Sequence, residues 1–74
     1  MIKEFDRIVL LEDMPGKGLL AGDIGTVVLI HDNTSAFEIE FFTLDGQTRC
    51  VETLLANRVR RVQSNEVAQV RQIT

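Results

Sequence analysis

The sequence predicts an all-β domain, a small five-stranded barrel followed by a short C-terminal extension. Short runs of β-branched and apolar residues alternate with clusters of turn-forming residues, which is the pattern of strands joined by hairpins. Two of these clusters, residues 32–35 and the pair Asp45-Gly46, have the composition of hairpin turns. Seventy-four residues make one domain with a single core. We therefore assign residues 1–62 to the barrel and residues 63–74 to a tail.

The first predicted strand spans residues 5–11, with Ile8 and Leu10 pointing inward. Residues 12–18 contain the only proline together with two glycines, so they predict a turn-rich loop. Leu19 or Leu20 is expected to anchor this loop to the core.

The second and central strand begins after a turn at Gly22-Asp23 and continues to about His31. Asp23 is expected to form hydrogen bonds with its own local backbone, as turn residues do. Gly25 interrupts a β-branched run, and a glycine inside a strand marks a bulge or the close approach of another backbone.

The turn at residues 32–35 sets the pairing of the second and third strands by placing His31 opposite Ala36. Because side chains alternate along a strand, one face of this hairpin becomes the core. The pairs on the core face are Ile30 with Phe37, Val28 with Ile39 and Thr26 with Phe41. The pairs on the outer face are Leu29 with Glu38 and Val27 with Glu40.

The Asp45-Gly46 turn sets the next hairpin, with Leu44 opposite Gln47 and Phe41 opposite an inward Cys50. The fourth strand covers residues 48–53. Residues 54–57 form a connector with room for one helical turn, and residues 58–62 form the fifth strand.

Glu52 falls on the inner face in this register, beside Ile39. An ionised carboxylate there needs a partner, such as Arg58 or water at the mouth of the barrel. A salt bridge at the end of the barrel is the first interpretation, and a bulge that turns Glu52 outward is its competitor.

The tail carries Val67, Val70 and Ile73 at a spacing of three among polar residues. This spacing leaves a short amphipathic helix, an added strand or a disordered segment as alternatives.

Several motifs of the chain resemble a family of small bacterial SH3-like proteins, itself a domain of unknown function. The matching segments are Asp6-Arg7-Ile8-Val9-Leu10, Met14-Pro15, Gly18-Leu19, Gly22-Asp23-Ile24-Gly25-Thr26-Val27-Val28, Glu38-Ile39-Glu40-Phe41, Asp45-Gly46 and Thr53-Leu54. The resemblance covers roughly residues 5–62 and implies an SH3-like barrel without catalytic residues. The glycine motif is also loosely similar to the KOW motif of ribosomal and transcription-elongation proteins. Two features depart from the family pattern: Glu52 replaces an apolar residue, and the tail extends beyond residue 62.

Composition weighs against nucleic acid as the partner. The net charge of −3 opposes the phosphate backbone, and the chain has no Trp or Tyr on which bases would stack. Arg58, Arg60 and Arg61, later joined by Arg71, are the only basic concentration. We expect them to pair with acidic strand faces or with an acidic protein, while phosphate contacts are the alternative in a KOW-like domain.

None of the reactive side chains forms a catalytic, cofactor or metal constellation. His31 with Asp32 and Glu38 lacks the closed ligand set of a structural metal site, so a solvated histidine is expected. Cys50 lacks an activating base and is expected to be a buried, inert thiol. Glu38 and Glu40 share a strand face without a cleft, which indicates a solvated surface that discourages aggregation at the edge.

The outer face of the predicted sheet carries the main anomaly. Its register aligns four apolar side chains where a single-layer barrel should be polar, which predicts a partner-binding patch. The patch comprises Val27, Leu29, Phe42 and Val51, flanked by Glu38, Glu40 and Arg49, with Phe42 as anchor. The tail, a second copy or a different protein are the three alternatives for what covers it.

The sequence thus predicts a non-catalytic protein-interaction module without cofactor or metal, which acts with a protein partner or as a homo-oligomer. The binding or antidote member of a small bacterial two-protein system is the more specific hypothesis, by analogy. The alternative is a KOW-like nucleic-acid-binding domain. A lone cysteine and the lack of a leader or long apolar run indicate the cytoplasm and no membrane association.

Overall fold

The computed structural model describes residues 1–73 as an all-β domain with five strands. The strands are β1 (Arg7–Leu10), β2 (Ile24–His31), β3 (Ala36–Phe42), β4 (Thr48–Leu55) and β5 (Val59–Arg61). Three single 3₁₀ turns, Pro15–Lys17, Asp32–Thr34 and Ala56–Arg58, connect them, and no α-helix occurs in residues 1–73. The last turn occupies the connector for which the sequence left room for one helical turn.

The strands form one antiparallel sheet in the order β4-β3-β2-β1-β5. The prediction of five antiparallel strands is therefore confirmed. The sheet is open, however, because β4 and β5 pair only with β3 and β1, respectively, in the part of the chain that is described. The predicted closure into a barrel is not confirmed, and β4 and β5 are the two edges.

The core lies on one face of the sheet under the loop that follows β1. Its buried side chains are Ile8, Leu10, Leu19, Val27, Phe37, Ile39, Phe41, Leu54 and Val59. Each fully buried side chain of this kind contributes about 1.5 to 3 kcal/mol, a large share of the stability of a small domain. Leu19 is 1% exposed and Leu20 is 40% exposed, so Leu19 is the anchor of the loop.

A β-bulge at Val28 changes the predicted faces of β2. From His31 to Leu29 the pairing with β3 is as predicted, but Val27, not Val28, lies opposite Ile39. One extra residue in a strand reverses the side-chain alternation beyond it. The prediction that Val27 faces outward is therefore wrong, because Val27 is 0% exposed and Val28 is only half-buried.

At the bulge, both backbone polar groups of Val27 form hydrogen bonds with the segment before β1. The Phe5 N–H donates to the Val27 carbonyl at 2.7 Å, and the Val27 N–H donates to the Asp6 carbonyl at 3.0 Å. Val27 is thus paired with the segment before β1, while Thr26 lies opposite Glu40, not opposite the predicted Phe41.

The β3–β4 hairpin confirms the pair Phe41–Cys50 and then shifts by one residue, so that Phe42 lies opposite Thr48. The Thr43 N–H donates to the Gln47 carbonyl at 2.9 Å, which closes a loop over residues 44–46. Gly46 takes φ 89° in this loop, a conformation that glycine adopts without strain. The predicted pair of Leu44 with Gln47 is wrong, because Leu44 lies in the loop and is 91% exposed.

Gly25 is a site of close approach, one of the two predicted alternatives. It is buried opposite Ile8 of β1, and a Cβ added there would lie 2.5 Å from Ile39 Cγ2. The same atom would lie 3.0 Å from the Glu40 carbonyl oxygen and 3.1 Å from Phe41 Cδ1. The sheet is packed so tightly here that no side chain fits.

The tail is irregular. Residues 66–73 contain neither the helix nor the added strand that the spacing of apolar residues allowed. Its position is instead defined by two ion pairs, Arg60–Glu66 and Arg71–Asp23. The predicted tail also includes Thr74, which lies outside the described residues.

Candidate interaction surface

The outer face of the sheet is built by strict alternation in β3. Phe37, Ile39 and Phe41 are buried, and the intervening Glu38 and Glu40 are half-exposed on the opposite face. Because paired residues of adjacent strands point to the same side, the neighbours of these glutamates also lie on the outer face.

Three exposed apolar side chains lie beside these glutamates and form what we call the outer face cluster: Leu29, Val51 and Leu55. Leu29 is opposite Glu38, Val51 is opposite Glu40, and Leu55 is opposite Ala36. Their exposed fractions are 44%, 48% and 56%, so nothing within the described chain covers them fully. Large apolar side chains grouped on one surface are typical of an interaction site.

Leu55 was missed because the predicted fourth strand stopped at Thr53. The predicted hairpin register already implied it, since continuing the Phe41–Cys50 pairing along both strands places Leu55 opposite Ala36, as observed. Val27 is the converse case. Its predicted role in the patch is incompatible with its position in the core.

Phe42 is half-buried and not the exposed anchor that the pattern indicated. The guanidinium carbon of Arg7 lies 5.6 Å from the centroid of its ring, a distance at which a cation is attracted to the aromatic face. Arg7 therefore covers part of the surface that Phe42 would otherwise present to a partner.

The charged side chains predicted to flank the patch are bonded within the chain. The carboxylate of Glu38 lies 2.9 Å from His31 Nε2, and Glu40 accepts a hydrogen bond from the Thr48 hydroxyl. Arg49 lies at the β3–β4 bulge, where a Cβ added to Gly18 would come 2.9 Å from its Nη2 atom. The seven predicted partner-binding residues are thus divided: Leu29, Val51, Glu38 and Glu40 share one surface, Phe42 lies under Arg7, Arg49 reaches Gly18 in the loop after β1, and Val27 is excluded.

Glu52 points to the inner face opposite Ile39, as predicted, and forms a salt bridge there. Its partner is Lys17, at 3.5 Å, because the loop after β1 folds over this end of the sheet. The suggested partner Arg58 pairs instead with Glu12 at 2.8 Å.

Cys50 lies on the same inner face and packs against the core. Burial, together with the charge of Glu52, raises the pKa of its thiol above the ordinary value. A thiol is therefore favoured over the thiolate that nucleophilic chemistry requires.

The remaining arginines of the basic concentration are also paired with acidic side chains. Arg60 donates two hydrogen bonds to Glu66, at 2.8 and 2.5 Å, and Arg61 lies 3.3 Å from Asp6. The hydrogen bond from Arg60 lowers the pKa of Glu66 to about 2. These arginines thus form salt bridges within the chain, but their partners Glu12, Glu66 and Asp6 lie outside the strands and not on the acidic strand faces that the sequence predicted.

The tail is held at its far end by Arg71. Its Nε and Nη2 atoms donate to Asp23 at 2.8 and 2.5 Å, and Nη2 also donates to the Gly18 carbonyl at 2.9 Å. Asp23 additionally accepts the Leu20 N–H at 2.9 Å, as predicted for a turn residue. Burial raises the pKa of Asp23, but the hydrogen bonds from Arg71 and Leu20 outweigh it and hold that pKa below its ordinary value.

This anchoring leaves a groove of about 520 Å³ between the tail and one end of the sheet. Ile24, Phe42 and Leu44 line one side of the groove, and residues 68–73 line the other. Val67 and Val70 point to solvent, with exposed fractions of 92% and 83%, and Ile73 is half-buried. Neither valine therefore covers the outer face cluster.

A protein-family model for a domain of unknown function matches residues 4–61. The chain belongs to the DUF4926 family. The family-level expectation of a domain of unknown function is thereby confirmed. No curated protein and no solved structure matches the chain.

The DUF4926 segment contains all five strands, the outer face cluster and the glutamates of β3 that lie between its members. Glu66 and Arg71, which anchor the tail, lie beyond it. Within the described part of this DUF4926 chain, no group of three or more His, Cys, Asp and Glu side chains is placed to hold a metal ion. The described residues also include no helix with the length and apolarity needed to span a bilayer.

Proposed function

We propose that this DUF4926 chain is a non-catalytic protein-interaction module that docks a protein partner on its outer face. The observation that carries the proposal is the outer face cluster, in which Leu29 of β2 and Val51 and Leu55 of the edge strand β4 stay exposed on either side of β3. Large apolar side chains left exposed on one surface are typical of an interaction site.

The contacts of the tail support the proposal that an external partner, and not the tail itself, covers the outer face cluster. The tail is positioned by ion pairs at Glu66 and Arg71, and its valines Val67 and Val70 remain 92% and 83% exposed. Val51 and Leu55 are thus left without full apolar cover within residues 1–73, and burying them would add to the affinity of a complex.

Pairing of the arginines weighs against the KOW-like alternative. Arg58, Arg60 and Arg61 each have an acidic partner within the chain, so binding phosphate would first require breaking these pairs. The net charge of −3 adds a repulsive contribution toward nucleic acid.

The finer proposal comes from the resemblance of the motifs to small bacterial SH3-like proteins. We infer an SH3-like domain that serves as the binding or antidote member of a two-protein system in the bacterial cytoplasm. The lone thiol of Cys50 is consistent with a reducing compartment.

Affinity capture from the host organism tests the proposal. The tagged chain is compared with the double variant Leu29→Ser/Val51→Ser, with Val67→Ser/Val70→Ser as a matched control that removes two exposed apolar side chains from the tail. We expect one protein to be enriched by the wild type and the control but lost from the outer-face variant. Equal capture by all three folded proteins would contradict a role for the outer face.

A further inference from the structure

We propose that the free edge of β4 is a strand-addition site whose occupant is β4 of a second copy, so that two sheets join into one. This inference rests on the proposed function, because it names the partner of the same region. Pairing of an exposed strand with another chain is a common mode of recognition at sheet edges.

The two edges of the sheet differ in how they are protected. β5 has three residues, two of which are Arg60 and Arg61, and the tail continues from it. Short length and charge discourage pairing with another chain. β4 has eight residues without proline, and Glu52, the charged residue in its second half, points inward to Lys17. β4 is therefore the less protected edge, because the charge of Glu52 is paired with Lys17 and the bulge at Arg49 lies outside the segment from Val51 to Leu55.

The direction of the backbone groups of β4 follows from the hydrogen bond at its end. The Ala56 N–H donates to the Ser35 carbonyl at 3.1 Å, so Ala56 is directed toward β3. Residues of an antiparallel strand alternate in the direction of their backbone groups. Val51, Thr53 and Leu55 therefore direct their N–H and C=O groups to the open side, where a second strand can bond them.

The same three residues are complementary to themselves under a two-fold axis. With Thr53 opposite Thr53 of the second copy, Val51 of each copy lies opposite Leu55 of the other. The backbone N–H and C=O groups of all three residues can then form hydrogen bonds between the two strands. Glu52 then lies opposite Leu54 on the inner face. This register places both exposed apolar side chains of β4 in cross-strand contact with apolar neighbours.

Two other symmetric registers are less favourable. Centring the axis on Glu52 would place two carboxylates directly opposite each other, which is destabilising. Centring it on Val51 would place Thr53 opposite Arg49, where the regular ladder of β4 is interrupted by the bulge. The Thr53-centred register avoids both problems and satisfies every edge-directed group from Val51 to Leu55.

Sedimentation analysis over a wide concentration range, combined with amide hydrogen exchange, tests the inference on the full chain. We expect wild type to dimerise, and the amides of Val51, Thr53 and Leu55 to become protected as the dimer forms. Thr53→Pro removes an N–H that makes no bond within the sheet, so it should retain the fold and weaken the dimer at least about tenfold. Thr53→Val keeps the N–H and is the matched control that should still dimerise.

Val51→Lys is the second variant, which places a charge against Leu55 of the second copy and should also give a folded monomer. A wild type that stays monomeric at every concentration, or dimers that persist in both Thr53→Pro and Val51→Lys, would overturn the inference. A monomeric wild type that still captures another protein through Leu29 and Val51 would overturn only the second-copy assignment. Capture that is independent of the outer face would instead remove the proposed function.

Discussion

Replacing Gly25 with alanine adds one methyl group at the most tightly packed position of the sheet. The new Cβ would lie 2.5 Å from Ile39 Cγ2, well inside van der Waals contact, and 3.0 Å from the Glu40 carbonyl oxygen. Ile39 is 0% exposed, and the Glu40 oxygen belongs to the backbone of β3. Neither neighbour can move without disturbing the core or the sheet.

The expected cost follows from two opposing effects. Overpacking a core typically costs about 1 to 3 kcal/mol, and contact with the backbone places Gly25→Ala at about 3 kcal/mol. Alanine restricts the unfolded chain more than glycine does, which returns about 0.5 to 1 kcal/mol. We therefore expect a net loss of about 2 kcal/mol, a substantial fraction of the stability of a small domain.

Urea denaturation measures this loss as a lower midpoint with an unchanged slope. Gly16→Ala is the matched control, because a Cβ at Gly16 meets nothing within 4 Å and should leave stability nearly unchanged. If Gly25→Ala were as stable as wild type or more stable, the close packing of β2 against β3 would be refuted, and with it the register that places Val27 in the core.

Three further predictions concern the core, the tail and the paired arginines. Phe41→Ala should destabilise the fold by about 3 to 5 kcal/mol in urea denaturation, because the ring is 2% exposed, whereas Phe42→Ala should cost clearly less because its ring is half-buried. Burial raises the pKa of Asp23 and the hydrogen bonds from Arg71 lower it, so Arg71→Gln should raise this pKa in an NMR titration. Gln69→Ala should leave the pKa of Asp23 unchanged. Because the pKa of Asp23 is depressed in the folded chain, the stabilisation from the Arg71–Asp23 pair is complete above the ordinary pKa of 3.8 and is lost as the pH falls through the lower pKa of the folded chain. Release of the tail at neutral pH would contradict this pairing. RNA and DNA should bind no tighter than the non-specific range of about 1 to 100 μM at physiological salt, and a sub-micromolar, salt-sensitive complex in a fluorescence-anisotropy titration would reverse the ranking of the two functions.

Local signals predicted the strands and both hairpins, and the register was correct from His31 to Leu29 in β2 and at the Phe41–Cys50 pair, but wrong beyond the β2 bulge and at the Asp45-Gly46 turn. His31 to Leu29 pair with β3 as the turn composition indicated, and Phe41 lies opposite Cys50. The bulge at Val28 could not be predicted from the hairpin, because it accompanies backbone hydrogen bonds that Val27 forms with Phe5 and Asp6, in the segment before β1.

The candidate surface was predicted in part for the same reason. Leu29 lies between the first hairpin turn and the bulge at Val28, and Val51 lies in the regular part of the β3–β4 ladder, so their outward positions were predicted correctly. Val27 lies beyond the bulge and was assigned to the wrong face. The Arg71–Asp23 pair joins residues 48 positions apart and has no local signal in either segment.

Methyl NMR of the labelled chain in an unlabelled extract of its own host tests protein docking on the outer face, because it maps the contacts of the chain with any protein of the extract. We expect the methyl resonances of Leu29, Val51 and Leu55 to shift or broaden, while those of Val67 and Val70 in the tail stay unchanged. Perturbation confined to the tail or to the arginine-bearing β5 edge, with the outer face cluster unaffected, would contradict a protein-docking role for this face.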